Sequence, residues 1–296
     1  MKDQTGKSLV KVLVLVLAIA GTQSAPAQTF KRISVKGGAT LVQIAAGGAS
    51  VWARASNGNP YIFKTNKFIL ANSISLTQMA VGGGNALQAD TVWGLDSSGN
   101  IYQAAKSGTS WVFSQVPGVL EFIAVGPGYT DCHPYEVWGL YATSIYRYDF
   151  CIQNWAFVPG SLATLAVGGG EIWGINGNGK PFRFNFDTLL FDQSFSGTPE
   201  QIAVGPNGVW ALDSNYVEVF DYVHQSFYST STDATQIQAG GNGIWGIDIY
   251  QQIFRLEATT ARRSLFPGAL VSISVGSGGG VWGLDSSGKA YGFTTP

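Results

Sequence analysis

Apolar and polar positions along this chain follow one short rule, written seven times. Each round opens with an apolar run closed by glycine: Ile44-Ala45-Ala46-Gly47, Met79-Ala80-Val81-Gly82, Ile123-Ala124-Val125-Gly126, Leu165-Ala166-Val167-Gly168, Ile202-Ala203-Val204-Gly205, Ile237-Gln238-Ala239-Gly240 and Ile273-Ser274-Val275-Gly276. Short, apolar and bounded by glycine, these runs predict buried strands. A second strand follows, built around Trp52, Trp93, Trp138, Trp173, Trp210, Trp245 or Trp282. The next position is small in every copy: Ala53, Gly94, Gly139, Gly174, Ala211, Gly246 and Gly283. Neighbours in a strand point to opposite faces. The indole therefore projects one way and leaves a hollow behind it, into which a large ring from the next sheet is expected to fit.

Turn residues come next, as in Ser97-Ser98-Gly99-Asn100, Asn176-Gly177-Asn178-Gly179 and Ser286-Ser287-Gly288. Such residues tolerate positive φ and join antiparallel strands. An aromatic-rich third strand follows, for example Ile101-Tyr102, Ile145 to Tyr148 and Tyr291 to Phe293. A fourth runs to a Pro-Gly or similar break, as from Trp111 to Gly118 and from Trp155 to Gly160. The tryptophans lie 41, 45, 35, 37, 35 and 37 residues apart. A period of this size is the mark of a repeat architecture. Sheets with bulk on one face and space on the other stack face to face, as in a propeller.

The last copy ends after its third strand, and an orphan strand, Phe30–Val35, precedes the first. An N-terminal strand completing the last sheet removes an open edge. The expected fold is all-β: a single seven-bladed β-propeller of four-stranded antiparallel blades, closed by the N-terminal strand completing the last blade. Two copies carry extra residues between the glycine and the tryptophan, at Asn85–Thr91 and about Gly128–Pro134, which are read as loops on one face of the array. No long helix is expected.

Composition narrows the picture. Charged residues are 12% and aromatics 13% of 296 positions, with 39 glycines and a formal net charge of −1. Lysine and arginine are scattered, so no nucleic-acid partner is expected. Lys2, Lys7 and Lys11 precede the apolar run Val12 to Ala20, and Ala25-Pro26-Ala27 follows. This order reads as a secretory leader, residues 1–27, with the propeller domain at 28–296. The run is short for a membrane span; an uncleaved anchor is the alternative. Cys132 and Cys151, 19 residues apart within one copy, fit a disulfide in an exported chain, with two free buried thiols as the other reading.

The unit I-A-V-G…V-W-G-L-D-S-S-G-x-I-Y…W-x-x-V-P-G resembles the tectonin repeat of β-propeller lectins. The likeness is closest at Ile123–Gly126, Val92–Tyr102, Trp111–Gly118 and Val281–Gly288 and extends over roughly residues 30–296. Tryptophan-aspartate repeats fit less well, because no tryptophan here is followed by aspartate. The tectonin resemblance implies a secreted or periplasmic carbohydrate-binding protein without catalytic activity, engaging cell-surface glycans, methylated sugars or lipopolysaccharide among them, at several repeated sites.

Within that frame the repeat tryptophans read as packing between blades. The candidates for touching sugar are the aromatics of outer strands, Trp111, Trp155, Tyr102, Tyr146 and Tyr148, together with Arg147. Asp96, Asp213, Asp248 and Asp285 read as turn caps. His133 and His224 stand alone, and no nucleophile elbow, zinc motif or phosphate loop appears. Glu121, Glu136, Glu171 and Glu218 are the acids that a glycosidase reading would need to pair. No metal or cofactor is expected. An exported protein-interaction scaffold, using the inserted loops, is the alternative function.

Overall fold

A computed structural model describes residues 29–84, 88–241 and 243–294. The leader at 1–27 and residues 85–87 of the first insertion lie outside the described residues. The described residues are all-β, with 28 strands and no helix. Five copies, those of Trp93, Trp138, Trp173, Trp210 and Trp245, each form a four-stranded sheet ordered as in the sequence. The copies of Trp52 and Trp282 share one eight-stranded sheet. In it the first strand, Thr29–Val35, pairs antiparallel with the last, Ala290–Thr294, in the register Phe30 to Phe293 and Ile33 to Ala290. A two-residue parallel bridge, Ser34 to Lys67 and Val35 to Phe68, joins that strand to the outer strand of the Trp52 copy.

The antiparallel order puts the connections of each sheet at two ends. At one end lie the glycines that close the innermost strands, and at the other the Asp-Ser-Ser-Gly turns. We call these the glycine face and the aspartate face. Six of the seven repeat indoles are 0–2% exposed. Trp210 packs in a cluster with Ile237, Ile244 and Leu256, and the others face rings of the following sheet: Trp52 meets Trp111 at 4.7 Å, Trp93 meets Tyr148 at 4.9 Å, Trp138 meets Phe184 at 4.8 Å and Trp173 meets Phe220 at 4.8 Å. Trp245 meets Phe293 at 4.8 Å, and Trp282 meets Phe63 of the first copy at 4.6 Å. Such ring pairs contribute about 0.5–1.5 kcal/mol beyond their buried area. Trp282 is only half-buried, because glycines at 280 and 292 leave the edges of its ring uncovered.

The hollow behind each tryptophan is filled differently from the expectation. The space beside Gly94, Gly139, Gly174 and Gly283 holds a leucine, respectively Leu76, Leu120, Leu162 and Leu270, from the segment entering the same sheet. The sequence puts Ala234 at the corresponding entry of the Trp245 copy, and there the ring of Phe254 takes the space at Gly246. A leucine folds back easily over a sheet it is about to enter, whereas the neighbouring sheet's rings are already engaged by the indoles.

The closing glycines have a steric reason. A Cβ on Gly168 would collide with the Val204 carbonyl of the next innermost strand, and one on Gly276 with the Gly47 carbonyl. Glutamine side chains join the same strands. Gln43 donates to the Met79 carbonyl (2.8 Å) and accepts from its N–H (3.0 Å). Gln78 does the same with Ile123, and Gln201 with Ile237. The Ala46 N–H donates to Ser274 Oγ at 2.9 Å, linking the first innermost strand to the last. These strands surround a central cavity of about 480 Å³, with Ala45, Ala124, Ala166 and Gln238 in its wall.

The second insertion is not a loop. The strands Phe122–Thr130 and His133–Tyr141 extend their pairing through it to Thr130 and His133, leaving Asp131 and Cys132 at the tip. The disulfide between Cys132 and Cys151 ties this long hairpin to the adjacent turn of the same sheet.

Candidate functional site

The two nearly identical copies, around Trp93 and Trp282, build the same small polar device on the aspartate face. Asp96 Oδ1 accepts from the N–H groups of Ser98 and Asn100, both at 2.9 Å. Asp285 Oδ1 accepts from those of Ser287 (2.9 Å) and Lys289 (3.0 Å). Gly99 and Gly288 take the positive φ (78° and 74°) that the turn needs. The other carboxylate oxygen meets a third-strand tyrosine: Tyr102 Oη donates to Asp96 Oδ2 at 3.2 Å, beside Asn100 Nδ2 at 2.8 Å, and Tyr291 Oη donates to Asp285 Oδ2 at 3.1 Å. Partial burial pushes both carboxyls up, but the hydrogen bonds donated to them outweigh it and hold both below the usual range. Burial and the neighbouring carboxylate push both tyrosines up.

Beside Tyr291 this device opens into a cavity of about 300 Å³. Phe30, Gln251, Pro267, Asp285 and Tyr291 line it, between the outer strand of the Trp245 copy and the sheet of the Trp282 copy. A tyrosine ring, a phenylalanine and a proline beside one carboxylate and one amide form the mixed wall of a small-ligand pocket.

A second repeated constellation lies towards the glycine face. Two residues before the tryptophan stands Glu136 or Glu171, and opposite the tryptophan on the third strand stands Arg147 or Arg183. Glu136, 4% exposed, accepts from Trp138 Nε1 at 2.8 Å and from Arg147 Nε at 2.9 Å and Nη2 at 2.5 Å. The Arg147 guanidinium also rests 5.5–5.9 Å from the rings of Trp138, Phe184 and Phe186. Glu171 accepts from Trp173 Nε1 (2.7 Å) and Tyr222 Oη (2.6 Å), while Arg183 stands off at 3.9 Å. Burial, then the Glu171 carboxylate, raise the Tyr222 hydroxyl far above its ordinary value.

The sequence profile of the tectonin domain matches residues 25–189 and 191–295. The chain belongs to the tectonin domain family. No curated protein matches its sequence. Among solved structures, YCF48 bound to D1 peptide superposes with a TM-score of 0.66 at 13% identity, over 92% of this tectonin chain and 100% of that one. The WD40 β-propeller domain of Doa1 gives 0.62 at 10% identity, over 92% and 97%. Human WBSCR16 gives 0.61 at 11% identity, over 86% of each chain. At these identities the likeness shows the β-propeller fold alone.

The tectonin structure does not bring the six expected sugar contacts together in one site. Tyr102 belongs to the Asp96 device. Tyr146, its counterpart in the next sheet, packs against Phe157 at 5.9 Å. Trp111 and Trp155 are half-buried against Trp52 and Trp93, and the indole N–H of each is buried without an acceptor. Tyr148 is buried between Trp93 and Trp155, and Arg147 is held by Glu136. The turn-cap expectation fits Asp96, Asp285 and also Asp248, whose Oδ1 accepts from Tyr250 and Gln252. Asp213 differs: its Oδ2 accepts from Thr198 in the preceding connection.

Sequence reasoning missed Asn176, which caps its turn as the aspartates do, and Asp90. Asp90 gathers the N–H groups of Gly48, Ala49, Ser50 and Gly84, clamping two copies together. The recurring D/N-x-x-G spacing pointed to the first; nothing local pointed to the second. Cys132, Asp149 and Cys151 converge as metal ligands do, but both sulfurs are spent on the disulfide. His224 bonds to Asp221, and His133, lowered by burial and then by the Arg147 charge, faces Thr130.

Proposed function

We propose that this tectonin protein is a secreted, non-catalytic carbohydrate-binding propeller. The observation that carries the reading is the 300 Å³ cavity beside Asp285 and Tyr291, together with the twin device at Asp96 and Tyr102. A flat apolar ring beside a fixed carboxylate acceptor suits a sugar, which offers a C–H face and hydroxyl donors. In this reading Tyr102 and Tyr291 stack on sugar. Trp111, Trp155 and Tyr146 add outer-strand contacts, and Arg147 and Tyr148 brace them from within. Repetition turns weak sites into avidity for cell-surface glycans, methylated sugars and lipopolysaccharide among them.

The same reading takes the ring as seven four-stranded blades, with Thr29–Val35 completing the blade of Trp282. Six indole-to-ring contacts between successive copies, Trp282 on Phe63 included, support it. It takes residues 1–27 as a cleaved leader and 28–296 as the mature propeller. The disulfide supports export, and no helix among the described residues is long and apolar enough to cross a membrane.

The test is a glycan array with wild type and Tyr291→Ala. Selective signal from the wild type that the variant loses is expected; equal signal from both, or none from correctly folded wild type, refutes the site. A second reading, a protein-interaction scaffold, draws on exposed apolar tips at the glycine face. Tyr129 is 72% and Val223 85% exposed, with Ile152 and Leu189 between them. Partner capture lost in an Ile152→Ser, Val223→Ser variant with glycan binding intact would favour it.

A further inference from the structure

The Glu–Arg constellation is graded around the ring. In the Trp138 copy Arg147 grips Glu136 with two donors, and in the Trp173 copy Arg183 stands 3.9 Å from Glu171. The Trp245 copy has the arginine without the acid. Arg255 sits opposite Trp245, in the register of Arg147 and Arg183. The residue two before that tryptophan is Gly243. Its φ of 90° is a conformation that L side chains rarely adopt, so a glutamate at this position would be strained.

The half-buried guanidinium lies beside this glycine. A Cβ built on Gly243 would lie 3.5 Å from Arg255 Nε and 3.6 Å from Nη2. Nε and Nη2 are the edge with which Arg147 grips its carboxylate. Among the described residues no acid pairs with Arg255. Glu257, two residues on, accepts from Thr260 Oγ1 instead, and Asp248 is taken by Arg263. A half-buried guanidinium is desolvated without the charge-assisted bonds that normally offset the cost. The other two copies with glycine at this place, at Gly208 and Gly280, have Val219 and Gly292 in place of the arginine. Only the Trp245 copy carries the donor alone.

We propose that the notch of Gly243 and Arg255 receives a carboxylate from outside, the carboxylate of an acidic saccharide such as a uronic acid, in the place Glu136 fills in its sister copy. A carboxylate is favoured over other anions because the sister site is built to carboxylate geometry, two parallel N–H donors meeting two oxygens. The saccharide part rests on the carbohydrate reading above; the carboxylate part rests on the arginine alone. The notch lies towards the glycine face, away from the Tyr291 cavity, so the two sites are tested separately.

The experiment is a ligand-observed NMR titration of the protein with sodium glucuronate, glucose and inorganic phosphate. Glucuronate is expected to bind wild type, and at least tenfold more weakly to Arg255→Met. Arg255→Lys, which keeps the charge but loses the planar fork, is expected to bind more weakly than wild type. Arg183→Met is expected to bind as wild type does, and thermal melts establish that each variant is folded. Glucuronate binding unchanged in folded Arg255→Met overturns the proposal, as does phosphate competing as well as glucuronate. Tyr291→Ala separates the readings. If it loses neutral glycans and keeps glucuronate, both stand; if glucuronate binding is absent while neutral glycans still depend on Tyr291, only the Arg255 notch falls.

Discussion

The first four tryptophan strands and the last three bury the same indole by different means. Two residues before the ring, the first four carry Ser50, Thr91, Glu136 and Glu171, and the indole N–H donates to that side chain in every case. The last three carry Gly208, Gly243 and Gly280. The first arrangement fixes the ring with a polar bond and, in two copies, brings a carboxylate and a guanidinium between sheets. The second offers no side chain at that position to meet the indole. One half of the molecule thus spends its polar groups on itself, and the other leaves some available.

The sharpest way to break this comparison is to remove the arginines one by one. Arg147→Met strands Glu136 in the interior and is expected to cost about 3–5 kcal/mol. Arg183→Met, at a more exposed and looser pair, should cost under about 1 kcal/mol, and Arg255→Met close to nothing. Urea unfolding reads all three, and equal losses would erase the distinction. Next in size is the staple, which is confined to the Trp138 copy. Replacing Cys132 and Cys151 with serine opens a 19-residue loop and is expected to lower stability by about 3 kcal/mol, read as a lower urea midpoint.

A smaller change tests the indole bond alone. Thr91→Val keeps the shape and leaves Trp93 Nε1 buried without its acceptor, a loss of about 1–3 kcal/mol in the same assay. A Thr91→Val change without effect would mean that packing alone holds the Trp93 ring. The smallest effect concerns the aspartate face. The carboxyls of Asp96 and Asp285 are held below their ordinary range. A group whose folded value is depressed stabilises above its unfolded value, about 3.9 for aspartate, and loses that contribution as pH falls through the folded value. Wild type should therefore lose stability below about pH 4, and Asp285→Asn should flatten that part of the profile.

Much of the fold was legible because its rule is local. The glycine-closed strand, the tryptophan with its small neighbour and the Asp-Ser-Ser-Gly turn each fit within a few residues, and Phe30–Val35 was recognisable as a strand missing its sheet. What escaped needed distant partners. Leu76 fills the hollow of Gly94 only once the chain has turned back on its own sheet. The extra residues around Gly128–Pro134 had the spacing of a loop, but their pairing across Thr130 and His133 depends on register. The candidate site was less legible still. Tyr102 was visible as an outer aromatic, while its bond to Asp96 and the twin at Tyr291 came from geometry. The cavity at Phe30 and Pro267 brings together residues more than two hundred positions apart.

The pairing of Thr29–Val35 with Ala290–Thr294 has a consequence for how the protein is made. Among the described strands, Thr29–Val35 comes first and cannot find this partner until the last of them has been added. Through that interval two bare backbone margins, one at each end of the growing barrel of sheets, remain open to foreign strands. Joining them is a late event of very long sequence separation, and thus slow. Molecules cut short by even the final strand would carry the same unsealed seam and be the first to clump.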